Sequence, residues 1–205
     1  MIQVDISGTG KKFQGKWVFR GIDLQISPGK RQVITGKNGS GKSTLLQMIA
    51  GFRTPSEGNI AWFLEGRQLH PDFIYRHVAM AAPGLDPTEE FTFPELIAFH
   101  QRFKPFPGTP DIGHIQEVAG LAASRDKAIK YFSSGMKQRV KLVMALMPSS
   151  GLVLLDEPCT NLDEESRKWY RDLLQRYAAG KTIVIASNHN SEEYDPDDPV
   201  IELSA

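Results

Sequence analysis

Cysteine is nearly absent from this 205-residue chain, and the single one, Cys159, excludes an intramolecular disulfide and fits a reducing compartment. Net charge is absent too. The 24 basic and 24 acidic side chains cancel, so no basic surface of the polyanion-binding kind is expected, and nucleic acid is not an expected partner. Long apolar runs are also missing: stretches such as residues 151–155 extend about five residues where a membrane helix needs roughly 20. The chain is therefore not expected to span a bilayer. Its N-terminus alternates like a strand and lacks a basic segment followed by an apolar one of signal-peptide length, which makes the cytoplasm the expected location. What is present, 40% hydrophobic and 23% charged residues with 18 glycines and 13 prolines, is the balance of a globular protein with a sizeable core. The length suits one domain with a smaller lobe.

Ile2, Val4 and Ile6 alternate in residues 1–7, residues 17–26 alternate again, and residues 31–35 end in the pair Val33-Ile34, so the first 35 residues read as β structure with a turn at Ser27-Pro28-Gly29-Lys30. Leu45, Leu46, Ile49 and Ala50 follow at helical spacing up to Gly51, and a short strand over 59–63 follows the turn Pro55-Ser56-Glu57-Gly58. From about residue 83 to 147 the pattern becomes helical. Thr92 and Glu95 form a capping box, and Leu96, Phe99 and Phe103 form an apolar stripe. Three prolines in residues 104–110 mark a connecting loop. The α/β order returns with an apolar strand over 152–155, a helix over about 163–179 closed by Gly180, and a strand over 182–186. The acidic stretch Asp195-Pro196-Asp197-Asp198-Pro199 reads as a solvated turn before a final strand.

Residues 36–44 read Gly36, Lys37, Asn38, Gly39, Ser40, Gly41, Lys42, Ser43, Thr44, which contains G-x-x-x-x-G-K-S between a buried strand and an amphipathic helix. Glycines at 36, 39 and 41 let the backbone curl with its amides inward, as a nest for phosphate oxygens. Lys42, expected on an exposed loop, would reach the terminal phosphates, Ser43 would offer its hydroxyl to Mg2+, and the positive end of the helix would face the same charge. Such a site needs a carboxylate at the end of a neighbouring strand. Leu152-Val153-Leu154-Leu155-Asp156-Glu157 supplies two: Asp156 to hold Mg2+, usually through water, and Glu157 to orient and polarise the attacking water.

Between these elements lies Tyr131-Phe132-Ser133-Ser134-Gly135-Met136-Lys137-Gln138-Arg139-Val140, opening a helix with Val140, Val143, Met144 and Met147. This resembles the signature motif of the ATP-binding-cassette (ABC) family, usually L-S-G-G-Q, and the order of loop, signature, acidic strand and Thr160-Asn161-Leu162-Asp163 is similar to that family across nearly the entire chain. The resemblance implies an α/β fold: a P-loop NTPase core with a mainly parallel sheet, an N-terminal antiparallel β subdomain and a helical lobe. It further implies one domain over 1–205, with the core at 1–82 and 148–205 and the lobe at about 83–147. By the same resemblance, Ser133, Ser134, Gly135 and Met136 serve the nucleotide of an opposite subunit, Asp163 lies on a dimer-interface loop, and two cassettes dimerise head to tail around ATP. Phe13 either stacks on adenine or packs in the core.

Departures accompany the resemblance. The signature carries Phe132, Ser134 and Met136 where leucine, glycine and glutamine are usual, a form similar to exporter-type cassettes. No glutamine occurs between Gln68 and Gln101, and the place of the family's γ-phosphate-sensing glutamine reads Met80-Ala81-Ala82-Pro83. The family's switch histidine aligns with Asn188, with His189 one place later. The function implied is an ATPase subunit, peripheral on the inner face of the membrane, powering a transporter whose integral-membrane subunits are separate chains. The alternative is a catalytically weak, ATP-gated clamp. The aromatics Phe91, Phe93, Phe99 and Phe103 are read either as lobe core or as the place where a membrane subunit docks.

Overall fold

The computed structural model describes residues 1–108 and 111–203; Thr109 and Pro110, at the end of the expected 104–110 loop, lie outside the described residues. The first strand is longer than its alternation announces. β1 covers Ile2–Phe13 and pairs antiparallel with β2, Lys16–Ile26. Register shifts between Ile6 and Thr9, and again before Lys11 and Lys12, break the period of two, which hides the second half of β1 from a pattern reading. Gln14 and Gly15, both at positive φ (49° and 81°), close the hairpin as a two-residue turn whose twist matches the flanking strands. β4 (Glu57–Leu64) and β5 (Arg67–Leu69) complete a four-stranded antiparallel sheet in the order β2-β1-β4-β5.

A second sheet has five strands in the order β6-β7-β8-β3-β9: Val78–Ala81, Leu152–Asp156, Thr182–Ser187, Arg31–Thr35 and Val200–Glu202, all paired in parallel. Its central strands β7 and β8 are buried at every position because both faces are covered, and residues 152–155 and 183–186 within them are apolar. Leu152, Leu154, Val184, Ala186 and Ile34 face α1 (Lys42–Ile49) and the antiparallel sheet, in one core with Trp62 and Ile2. Val153, Leu155, Ile183 and Ile185 face the other way, in one core with helical residues such as Phe93, Ile97, Ile115, Val143 and Tyr170.

The helices over that second face are α2 (Phe93–His100), α3 (Ile112–Ala119), α4 (Ser134–Leu146) and α5 (Glu164–Tyr177). The Thr92–Glu95 capping box forms at the start of α2, with both reciprocal hydrogen bonds present. The expected stripe on α2 divides. Leu96 is buried beside Phe93 and Ile97, whereas Phe99 and Phe103 are 47% and 69% exposed, and Phe103 lies beyond the helix end. On α4, Val140, Val143 and Met147 are buried and Met144 partly so. In the acidic stretch, Asp195 and Asp198 pair with Arg31 at the base of β3, which ties that turn to the sheet. No helix among the described residues is long and apolar enough to cross a membrane.

Candidate nucleotide site

The loop from Gly36 to Gly41 joins the end of β3 to the start of α1 at the carboxyl edge of the parallel sheet. Its glycines are required for different reasons. Gly36, at φ 147°, has no room for a side chain, because a Cβ would stand 2.6 Å from the Leu203 carbonyl oxygen. At Gly41 (φ 97°) a Cβ would lie 2.6 Å from Val18 Cγ1, so the β1–β2 hairpin covers the start of α1. Gly39 has open space around it and needs only its positive φ of 85°. Lys37, Asn38, Gly39 and Ser43 are exposed, Thr44 is half-buried, and the Ser40 hydroxyl is buried without a hydrogen-bond partner.

Lys42 is not on an exposed loop, as the sequence reading had it. It is buried, and its Nζ donates to the carbonyls of Gly36 (2.7 Å) and Lys37 (3.1 Å), so its charge sits inside the curl of the loop. The first backbone amides of α1 have no intrahelical partner and carry the positive end of the helix dipole, which makes this spot favourable for an anion.

β8 separates β7 from β3, with Asp156 in register with Ala186 and Thr35 with Ser187. Asp156 therefore reaches the same edge as the loop. It is buried, and burial is the main force raising its pKa; Ser43 and the Lys42 charge favour the ionised form, while Glu157 opposes it. Its Oδ1 has no hydrogen-bond partner. An orphaned buried carboxylate oxygen next to a serine hydroxyl is a donor set that fits Mg2+, which uses one or two carboxylates and completes its shell with phosphate oxygens and water. Asp156 and Ser43 would hold it.

Glu157 leaves β7 in a left-handed conformation (φ 47°), which costs a non-glycine residue about 1–3 kcal/mol. Its amide donates to Ala186 O at 2.9 Å, and the half-buried side chain accepts from the Thr160 hydroxyl at 3.4 Å. Ser187, the last residue of β8, is buried, while Asn188 and His189 beyond it are exposed; His189 has φ 56° and its Nε2 lies 3.9 Å from Glu202 Oε1. At the end of β6 stand Ala82 and Pro83, which offer no polar side chain to the site.

The signature residues gather elsewhere. Ser133 caps α4, its hydroxyl accepting from the Met136 amide at 3.2 Å, and Ser134 and Gly135 form the first turn. A Cβ on Gly135 would lie 3.1 Å from Asn161 O, so the loop before α5 packs directly on this turn. Asp163 caps α5, accepting from the Ser166 amide at 2.8 Å, and that hydrogen bonding with Ser166 holds its pKa below the usual carboxylate value. These residues line one cleft of about 450 Å³ with Arg139, and no residue of the phosphate loop lines it. Phe13 is not core: it is 41% exposed near the hairpin tip, with Lys11 and Arg53 each 5.4 Å from its ring centre. Among the buried polar side chains to which the sequence assigns no role are Gln138 on α4 and Glu193 beyond β8. Glutamine and glutamate are common enough that no pattern marks these two.

A parallel sheet that carries a glycine-rich anion loop with its lysine at the end of one strand and a buried aspartate at the end of the next strand but one is a P-loop nucleotide-binding fold. The sequence profile of the ABC transporter family matches residues 19–160, and the chain belongs to that family as one of its ATPase cassettes. Among its relatives, the Cytochrome c biogenesis ATP-binding export protein CcmA of Paraburkholderia xenovorans is 29% identical over 93% of this chain and 91% of its own length. The Daunorubicin/doxorubicin resistance ATP-binding protein DrrA of Streptomyces peucetius is 28% identical over 92% of the chain, which spans 58% of that protein. The chain spans only 9% of another relative, ATP-binding cassette sub-family A member 7 of Rattus norvegicus. The fold matches the dimeric post-hydrolysis structure of the cassette MJ0796 bound to ADP and Pi, with a TM-score of 0.82 at 22% identity over 98% of this chain and 94% of that one.

Proposed function

We propose that this chain is the ATP-binding and hydrolysing subunit that powers a membrane transporter formed with separate membrane-spanning subunits. The observation that carries the reading is the buried Asp156 carboxylate beside Ser43 and Lys42 at one edge of the sheet. In this reading the loop amides and Lys42 bind the β- and γ-phosphates, Phe13 stacks on the base, and Glu157 takes the proton of the attacking water. Ser43 and Asp156 would hold Mg2+, which would supply positive charge to the phosphate oxygens. Ser133, Ser134, Gly135 and Met136 contact the nucleotide of a second cassette, with Asp163 at the dimer loop, so two chains close head to tail over two ATP molecules. The separation of the signature cleft from the phosphate loop supports this, because each chain then holds two half-sites that only a partner completes.

The name of CcmA, an ATP-binding export protein, supports export as the class of work. A membrane partner is supported by the apolar groove of about 490 Å³ between the sheet and the helices, lined by Phe52, Tyr75, Met80, Leu85, Leu96 and Val140. The chain would then sit in the cytoplasm, peripheral on the inner face of the membrane. Its domain division follows the same reading: one cassette over 1–205, with the core at 1–82 and 148–205 and a helical lobe at about 83–147.

A second reading, a slow ATP-gated clamp, is favoured by Ala82 and Pro83 at the end of β6 and by Asn188 after β8, since none of them carries a proton or charge to the γ-phosphate. Glu157→Gln tests the site. It should bind ATP and accumulate as an ATP-dependent dimer by light scattering, with turnover reduced about 10²- to 10⁴-fold. Parental turnover with no ATP-dependent dimer would overturn the reading. Turnover in the parent chain that stays at the Glu157→Gln level would select the clamp.

A further inference from the structure

The peptide group between Pro158 and Cys159 lies one residue past Glu157 and is gripped from both sides. Its carbonyl accepts from Gln138 Nε2 at 2.8 Å, and its amide donates to Glu193 Oε1 at 3.2 Å. Gln138 stands in the second turn of α4, the helix that Ser133 caps. Glu193 belongs to the turn after β8, which is built by Asn190 N donating to Ser187 Oγ (3.1 Å) and Glu193 N donating to Asn190 O (3.1 Å). The Tyr170 hydroxyl, on α5, donates to the Glu193 carbonyl at 2.9 Å and anchors that turn from below. One peptide plane thus joins the signature helix to the segment that carries Asn188.

Both gripping side chains are buried, Gln138 at 6% and Glu193 at 3% exposure. Burying an amide and a carboxyl is unfavourable unless hydrogen bonds recover the lost hydration, so their placement on the same peptide needs a reason. The carboxyl is pushed up chiefly by burial, with Glu157 and Asp156 adding to the effect, while Ser187 and the Cys159 amide oppose it. Glu193 is thus close enough to feel the reacting carboxylates, yet no hydrogen bond joins Glu193 or Gln138 to the phosphate loop among the described residues. The residue that needs external support is Glu157. Its left-handed backbone persists only if the chain is fixed on both sides of it. On the near side the Glu157 amide is bound to Ala186 O on β8. On the far side the fixed element is the Pro158–Cys159 peptide.

We propose that Gln138 and Glu193 are positioning residues for Glu157: by holding the two polar ends of the Pro158–Cys159 peptide they set the direction in which Glu157 leaves β7. The proposal rests on the reading of Glu157 as general base. It also gives the signature helix a short mechanical route to the base of its own chain, because a shift of α4 moves the Pro158 carbonyl directly.

The test is steady-state ATP turnover of the full chain in matched variants. Glu193→Met keeps the volume but removes the acceptor, and kcat should fall about 10- to 100-fold while KM for ATP stays within about threefold. Glu193→Gln, which keeps an oxygen facing the Cys159 amide, should remain within about threefold of the parent, because the hydrogen bond and not the charge holds the peptide. Gln138→Met should lower kcat to a similar degree, and the double variant should fall no more than about threefold below either single one, since both act on one peptide. A parental kcat in Glu193→Met, a change confined to KM, or a loss in Glu193→Gln as large as in Glu193→Met would each overturn the proposal. Should Glu193→Met fail to fold by circular dichroism, Gln138→Met decides, and a parental kcat there overturns the proposal. Glu157→Gln run alongside separates the two levels. If it turns over like the parent, the base reading fails; if it is inactive while Glu193→Met is unaffected, only the positioning role fails.

Discussion

The phosphate loop, residues 36–44, and the signature segment, residues 133–136, both stand at the N-terminus of a helix, and both present backbone amides that suit an anion. Their surroundings differ. The loop is braced by the sheet below, by the β1–β2 hairpin against Gly41, and by a buried lysine that bonds its own carbonyls. The signature turn is capped by its own Ser133 and opens into a cleft shared with Asn161 and Asp163. A site whose charges are already gathered can hold a ligand by itself, whereas an open cap contributes only when a second surface arrives. The difference predicts that the first region governs affinity for nucleotide and the second governs association.

Lys42→Ala should have the largest effect. Removing a charged donor whose bonds to phosphate are each worth ~1.5–3 kcal/mol should lower ATP affinity about 10²- to 10⁴-fold. Because Lys42 is buried and braces two loop carbonyls, some loss of thermal stability should accompany this. Titration of the purified variant with ATP checks it, and unchanged affinity would remove the basis of the comparison. Next in size is the switch pair. An amide that positions the γ-phosphate by one hydrogen bond contributes less than a charged group, so Asn188→Ala should slow turnover about tenfold. His189→Ala, whose ring lies toward Glu202, should change turnover little. The opposite result would place the switch at His189.

Ser133→Ala should leave ATP binding to the monomer intact while abolishing ATP-dependent dimers in the Glu157→Gln background. The lost cap should also lower stability by ~1 kcal/mol, or about 2–4 °C in Tm. Equal loss of monomer affinity would mean that the two regions are not independent. The smallest effect concerns Asp163. Its pKa is lowered in the folded chain by Ser166, so the stability it adds is present above the unfolded carboxylate pKa of about 4 and is lost as pH falls through the folded value. The Tm difference between the parent and Asp163→Asn should therefore be measurable at pH 7 and shrink as the pH is lowered below about 4.

Much of the fold was legible where one face of an element meets one environment. β2, α1 and the apolar strands β7 and β8 follow from period and composition. The pattern shows only the first half of β1 because its bulges shift the alternation, and it leaves Phe99 and Phe103 open between core and surface because aromatic residues at helical spacing look the same whether they face a core or solvent. In the candidate site, the glycines, Lys42, Ser43 and Asp156 could be named from spacing, since a phosphate nest and its metal partner demand those residue types in that order. Gln138 and Glu193 could not, because their meaning depends on a peptide 20 residues from one and 34 from the other.

By itself, the sequence determined which groups can carry charge to a phosphate, because the chemistry of lysine, serine and the carboxylates belongs to the residues and the glycine spacing fixes the curl of the loop locally. The tertiary structure decided what those groups feel. It placed β8 between β7 and β3 so that Asp156 reaches Ser43, buried Lys42 inside its own loop, and turned Phe13 outward. It also kept the signature cleft away from that loop. Burial, register and the meeting of distant backbone groups arise only when both cores form on the two faces of one sheet, and no local pattern along the chain encodes them.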